Sequence, residues 1–196
     1  MKKFILYGDS NTYGYDPRGM MGGRFADDVR WTTKLAAKLS GYIVIDEGLN
    51  GRQLPVSRSG RISRFLENMT EDLGPEDVIL MMLGTNDVLL TNNPDADVAL
   101  KKMQPLLDWY REGALPFKLI IVAPVPIADI NEEMEPYHRE SLRMNEGFKS
   151  ICENAAIPFI DTTDWDIPMA YDGVHIAEDS QSLFAQKMLE AILTII

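Results

Sequence analysis

The sequence predicts an α/β fold built on a parallel sheet, and three observations carry that prediction. Short apolar runs alternate with segments of helical period along all 196 residues. Two of the runs, Val78-Ile79-Leu80-Met81-Met82-Leu83 and Lys118-Leu119-Ile120-Ile121-Val122-Ala123, are almost uninterrupted, and the links between elements are short. A strand covered on both faces has no polar side to alternate with, so near-continuous apolar runs mark the central strands of a parallel sheet. Strand–helix alternation then implies helices on both faces, joined by right-handed crossovers. Nothing along the chain reads as a linker, repeat or low-complexity segment, so one domain over residues 1–196 is expected.

The elements follow in order. Phe4-Ile5-Leu6-Tyr7 marks a buried strand over 3–8, and Gly8-Asp9-Ser10-Asn11-Thr12-Tyr13-Gly14 follows it at once. Trp31, Leu35, Ala36 and Leu39 share one face of a first helix, and a second strand is expected at 42–46. Ile62, Phe65, Leu66, Met69 and Leu73 mark a second helix that Gly74-Pro75 should end. After the third strand at 78–83, Ala99, Met103, Leu106, Leu107 and Tyr110 carry the helical period, but Pro105 lacks a backbone donor and should kink or split that helix. The fourth strand at 118–123 precedes a helix over 136–155, and the fifth falls at 157–160. A last helix opens at Asp179 or Ser180 and turns Phe184, Met188, Ala191, Ile192 and Ile195 inward.

Composition narrows the function classes. Thirty acidic against 19 basic side chains give a net charge of −11, and no Lys/Arg cluster interrupts it. Neither nucleic acid nor an anionic membrane surface is an expected partner. Lys2 and Lys3 precede too few apolar residues for a signal peptide, no apolar run could cross a bilayer, and a cytoplasmic location is expected. The single Cys152 lies on an apolar helical face with Met144, Phe148, Ile151 and Ala155, which favours a small buried hydrophobe over a nucleophile. Two histidines without cysteine spacing cannot make a histidine-dominated zinc site, so neither metal nor cofactor is expected. Asp161, Asp164 and Asp166 form an acidic loop whose divalent-ion alternative stays open.

Four small clusters fall at element ends: Gly8-Asp9-Ser10, Gly48-Leu49-Asn50-Gly51, Gly84-Thr85-Asn86-Asp87 and Asp172-Gly173-Val174-His175. The first three follow strands at their carboxyl ends, the edge where open α/β sheets bind ligands, and the fourth can return there by a short loop. Ser10 is a weak nucleophile unless a base takes its proton. His175 is the better base, because His138 sits in the polar stretch Glu135-Pro136-Tyr137-His138-Arg139-Glu140, read as a solvated helix start. Asp172 stands three residues before His175, close enough to accept from Nδ1 and leave Nε2 facing Ser10. The Ser10 and Gly51 amides and the Asn86 side-chain NH₂ are donors suited to a developing oxyanion. Asp9 and Asp87 read as local hydrogen-bond anchors.

These four ordered blocks resemble those of the SGNH, or GDSL, hydrolase family. The resemblance implies a three-layer α/β/α sandwich, flavodoxin-like, whose five parallel strands run in the order 2-1-3-4-5. It implies catalytic roles for Ser10 as nucleophile, His175 as base and then acid, and Asp172 as its orienter, with the Ser10 amide, Gly51 and Asn86 as the oxyanion hole. Gly14-Tyr15, Arg24-Phe25-Ala26-Asp27-Asp28-Val29-Arg30-Trp31, Glu47-Gly48-Leu49-Asn50-Gly51-Arg52 and Leu83-Gly84-Thr85-Asn86-Asp87 are similar to the arylesterase and acyltransferase/perhydrolase branch. Some members of that branch form oligomers, which leaves room for a homo-oligomer here.

The expected activity is hydrolysis of small carboxylic esters through an acyl-enzyme, with water or an alcohol as acceptor. Acyl transfer or perhydrolysis, thioester or lysophospholipid hydrolysis and carbohydrate deacetylation stand as alternatives. A non-enzymatic flavodoxin-like domain binding phosphate or flavin on the 8–14 loop is the alternative of another class, but no dinucleotide or P-loop motif supports it. Tyr13, Tyr15, Val125 and Met169 are candidate pocket walls. Trp31 reads as packing, and Met20 and Met21 as either packing or pocket.

Overall fold

The computed structural model describes residues 1–19, 23–91 and 93–196. Its strands are, in chain order, β1 (Lys2–Gly8), β2 (Tyr15–Asp16), β3 (Gly23–Arg24), β4 (Tyr42–Gly48), β5 (Val78–Met82), β6 (Lys118–Val122) and β7 (Phe159–Ile160). Five of them form one sheet in the order β4-β1-β5-β6-β7, every neighbouring pair parallel, while β2 and β3 make a separate antiparallel ladder. Numbered along the chain, the sheet strands run 2-1-3-4-5, as the resemblance implies. The helices are α1 (Ser10–Tyr13), α2 (Trp31–Ala36), α3 (Arg64–Thr70), α4 (Thr85–Leu89), α5 (Asp97–Glu112), α6 (Glu135–Ala155) and α7 (Gln181–Leu193).

Alternation along each strand divides the core into two layers. Phe4, Leu6, Leu80, Met82, Ile120 and Val122 face Trp31 and Leu35 of α2 and Phe184 and Met188 of α7. Ile5, Tyr7, Ile79, Met81, Leu119 and Ile121 face Met103, Leu106 and Leu107 of α5 and Met144, Phe148 and Cys152 of α6. Six residues are too few for α2 to persist alone. Burying a large apolar side chain contributes roughly 1.5–3 kcal/mol, so α2 holds its shape because Trp31 and Leu35 are sealed in that layer. Trp31 is packing, as its helical company suggests: its ring meets Phe184 edge-on at 5.1 Å.

Several boundaries differ from the sequence reading. α5 is continuous through Pro105, which does not split it. The carbonyl that Pro105 leaves without a donor belongs to exposed Lys101, where water can take its place. α3 begins only at Arg64, because Ile62 is held in a bridge to Val56 and Ser63 caps the helix by accepting from the Leu66 amide. β7 is two residues long, since Pro158 offers a carbonyl to Ile121 but has no N–H to extend the ladder. α7 is preceded by a 3₁₀ turn over Glu178–Ser180. Cys152 is fully buried, and burial pushes its thiol up to about 12.

The register fixes where the chain leaves the sheet. Gly8 stands beside Gly48 on one side and Met82 on the other, so β1, β4 and β5 end at one level. The segments that follow, α1 with Ser10, the loop with Gly51 and α4 with Asn86, therefore start from one edge. Gly48 lets α1 sit directly on β4, because a Cβ there would lie 2.2 Å from the Tyr13 backbone nitrogen.

Candidate active site

Ser10 is the first residue of α1, immediately after β1. Asp9 caps that short helix by accepting from the Asn11 amide at 2.9 Å, and Gly14 closes it with φ +80°. A first-turn N–H has no partner inside its own helix, so the Ser10 amide is a donor left over at the sheet edge. His175 reaches this edge from the loop after β7. Ser10 Oγ lies 2.9 Å from His175 Nε2, and His175 Nδ1 lies 2.6 Å from Asp172 Oδ2.

Asp172 divides its work between two oxygens. Oδ1 accepts from the Val174 amide at 3.0 Å and the His175 amide at 3.1 Å, shaping the turn, while Oδ2 meets the ring. Burial works to raise this carboxyl, but the bonds from the His175 ring and the two amides outweigh it and hold it below the usual carboxylate range. An ionised carboxylate can only accept. The proton of a neutral ring therefore sits on Nδ1, and Nε2 is left to accept the Ser10 hydroxyl.

The oxyanion candidates lie around the same serine. Gly51 has φ +73° in the loop after β4, and its N–H has no protein partner among the described residues. That loop is stitched to α4 at three successive positions. Asn86 Nδ2 donates to the Arg52 carbonyl at 3.2 Å, Gln53 Nε2 donates to the Asn86 carbonyl at 3.2 Å, and the Leu54 amide donates to Asp87 Oδ2 at 2.9 Å. Asn86 Nδ2 also approaches Asp9 Oδ2 at 3.5 Å. This is the outer limit of hydrogen bonding, so the second amide hydrogen remains available to a stronger acceptor. Asp9 itself is buried, which pushes its carboxyl up to about 6 against the pull of the Asn11 amide. A carboxylate occupying the turn after β1 is a poor start for a phosphate cradle on the same loop.

Residues 6–180 match the model of the GDSL-like lipase/acylhydrolase family. The chain belongs to that family. It is a serine hydrolase of the GDSL, or SGNH, type that acts on esters. No curated protein sequence matches this hydrolase. Solved structures do. A protein named as a candidate arylesterase from Agrobacterium tumefaciens str. C58 is 27% identical with a TM-score of 0.80, each chain covering 100% of the other. A carbohydrate acetylesterase family member from Sinorhizobium meliloti is 25% identical with a TM-score of 0.79 over 99% of this chain and 98% of its own. The aryl esterase of M. smegmatis, 24% identical with a TM-score of 0.80 over the full length of both, shares the fold.

The proposed pocket residues of this GDSL hydrolase separate. The Tyr15 ring packs on His175 with centroids 4.6 Å apart. Tyr13 instead lies under the Arg24 guanidinium, 4.3 Å from its ring centre. Val125 is 7% exposed and belongs to the buried cluster that holds Val122 of β6, Ile167, Ile176 and Phe184 of α7. Met169 is half-buried and bridges to Ile176, bracing the loop that carries His175. Met20 and Met21 lie outside the described residues. A cleft of about 380 Å³ runs between the 16–18 turn and the 170–179 loop, lined by Pro17, Phe25, Tyr171 and Glu178, and none of the four candidates borders it.

Other polar groups have structural partners. His138 is not solvated but half-buried, with Nδ1 2.6 Å from the Ile127 carbonyl. Asp161 accepts from the Thr163 amide and pairs with Lys149 at 3.5 Å. Among the described residues no group of three or more His, Cys, Asp or Glu could hold a metal ion, and no helix is long and apolar enough to cross a membrane.

Two residues that sequence reasoning left without roles support the segments around Gly51 and Asn86. Arg52 donates to the Gly8 carbonyl at 3.1 Å and to that of Glu47, with its guanidinium 4.2 Å from the Tyr7 ring centre, tying the ends of β1 and β4 together. Lys102 pairs at 2.6 Å with Asp87, whose side chain is wholly buried. Burial raises the Asp87 carboxyl, and Lys102 and the Leu54 amide offset only part of that rise. Lys102→Met would strand the carboxylate and is expected to cost about 3–5 kcal/mol near neutral pH. A carboxyl raised in the folded state binds protons more readily there than in the unfolded chain, so the loss shrinks as pH falls. Urea unfolding at several pH values checks this; a pH-independent loss would contradict it.

Proposed function

We propose that this hydrolase cleaves small carboxylic esters through an acyl-Ser10 intermediate. The observation that carries the reading is the continuous line from Asp172 Oδ2 to His175 at 2.6 Å and from His175 Nε2 to Ser10 Oγ at 2.9 Å. As Ser10 Oγ attacks the ester carbonyl carbon, His175 Nε2 takes its proton and Asp172 stabilises the imidazolium. The carbonyl electron pair moves to oxygen, where the Ser10 and Gly51 amides and Asn86 Nδ2 receive it. His175 then gives the proton to the alkoxy oxygen, the C–O bond breaks and the alcohol leaves. Water attacks the acyl-serine with His175 again as base, and collapse of the second oxyanion frees the acid and returns the proton to Ser10.

Tyr15, packed at a tilt of 42° against His175, leaves a half-buried site, which suits small acyl groups. The names borne by the Agrobacterium and Sinorhizobium relatives point the same way, toward aryl esters and acetylated carbohydrates. A fluorophosphonate should inactivate the enzyme by forming one adduct, which peptide mass spectrometry assigns to Ser10. Full ester hydrolysis after stoichiometric labelling, or an adduct on another residue, would reject the reading.

A further inference from the structure

We infer that Asn11 is a positioning residue that holds His175 against Ser10, an inference that rests on the acyl-Ser10 reading. The Asn11 side chain grips the base loop on both sides of the histidine. Its Nδ2 donates to the Val174 carbonyl at 3.0 Å, and its Oδ1 accepts from the Ile176 amide at 2.9 Å. One planar amide thus takes the place of a neighbouring strand for residues 174 and 176, leaving His175 between two fixed points. The grip is stiff because its base is stiff. Asn11 is 6% exposed, its amide is held by Asp9 Oδ1, and its carbonyl accepts from Trp31 Nε1 at 2.8 Å.

The two sides of the loop are held differently. Asp172 Oδ1 takes the amides of Val174 and His175, which sets the turn locally. Nothing in that local turn relates it to Ser10, 165 residues away. Asn11 supplies that relation, since it follows Ser10 directly on α1 and so moves with the nucleophile. The Nε2–Oγ distance is therefore set by a rigid path of two hydrogen bonds rather than by the Ser10 bond alone.

Asn11→Leu removes both bonds, and Asn11→Asp keeps the shape and the bond from Ile176 but sets a second oxygen against the Val174 carbonyl. Misplacing a reacting group by about 1 Å costs on the order of 100-fold, so kcat for a phenyl ester should fall about tenfold to 100-fold in both variants, counted per active site titrated, with KM little changed. Fluorophosphonate inactivation should slow in proportion. In Asn11→Leu the far-downfield proton resonance of His175 Nδ1–H should also shift or broaden, as the ring loses its fixed place against Ser10. A purely structural residue would lower the melting temperature and the number of titratable sites without changing these readouts. Wild-type kcat per titrated site with an intact imidazole resonance in either folded variant would overturn the inference. Ser10→Ala serves as the control: if it still turns over, the acyl-Ser10 reading fails, whereas a dead Ser10→Ala beside fully active Asn11 variants rejects only the role of Asn11.

Discussion

Ser10→Ala is expected to lower kcat by about 10⁴- to 10⁶-fold while leaving the fold intact. Among the described residues the side chain makes one hydrogen bond, to His175 Nε2, and it is 8% exposed. Losing its single oxygen neither opens a core cavity nor strands a buried donor, because the neutral ring's proton stays on Nδ1 with Asp172. Thermal unfolding should therefore be nearly unchanged, and the whole effect should fall on chemistry. On the acyl-Ser10 reading nucleophile and base act as one unit, so Ser10→Ala/His175→Ala should be about as slow as either single variant rather than the product of both. On the same reading, residual activity is expected from the amides of residues 10 and 51 and from Asn86 acting on bound ester. Steady-state rates on an activated acetate ester, with active sites titrated, read this directly. A loss below about tenfold, or losses that multiply in the double variant, would mean that Ser10 and His175 do not act together.

What the sequence disclosed and what it hid divide by range. Strand positions were legible because burial on both faces leaves runs such as Val78–Met82 without polar interruption. The Asp172–His175 pair was legible because its geometry is contained in three residues, and the ends of β1 and β5 because Ser10 and Gly84 follow within two residues, whereas β4 runs to Gly48, past the expected end at 46. Helix limits were less so. Whether Pro105 breaks α5 depends on the exposure of Lys101, and whether Ile62 joins α3 depends on a bridge to Val56. Ser10 to His175 aside, contacts across 11 to 165 residues were not legible: Asn11 to Val174 and Ile176, Arg52 to Gly8 and His138 to Ile127. For Asn11 a signal existed. A side chain with both donor and acceptor follows Ser10, at a position that α1 buries, where an apolar residue would have satisfied packing alone. Val125 reads either way in the sequence, because an apolar residue beside prolines looks the same on a pocket wall as in the core behind it.

Asp172→Asn is the more discriminating test of the base, with an expected loss of about 10⁴-fold in kcat. The turn decides how the new side chain sits. Two amides, from Val174 and His175, point at the position of Oδ1, so the single oxygen of Asn is retained there and its NH₂ is driven to the position of Oδ2. That NH₂ is a donor aimed at His175 Nδ1, which can accept only if its own proton moves to Nε2. A ring protonated on Nε2 points a hydrogen at Ser10 Oγ and cannot remove the serine proton. The variant thus keeps its geometry and loses its base. Stability gives an independent reading of the same carboxylate. Held in the folded state below its ordinary 3.8, Asp172 contributes stability that is present above that value and lost as pH falls through the folded-state pKa. The melting temperature of the wild type should accordingly exceed that of Asp172→Asn near neutral pH, and the two should converge in acid. If Asp172→Asn instead retained most of its kcat while showing the stability difference, the carboxylate would be holding the loop without setting the tautomer, and the proton of His175 would have to be governed from the Ser10 side.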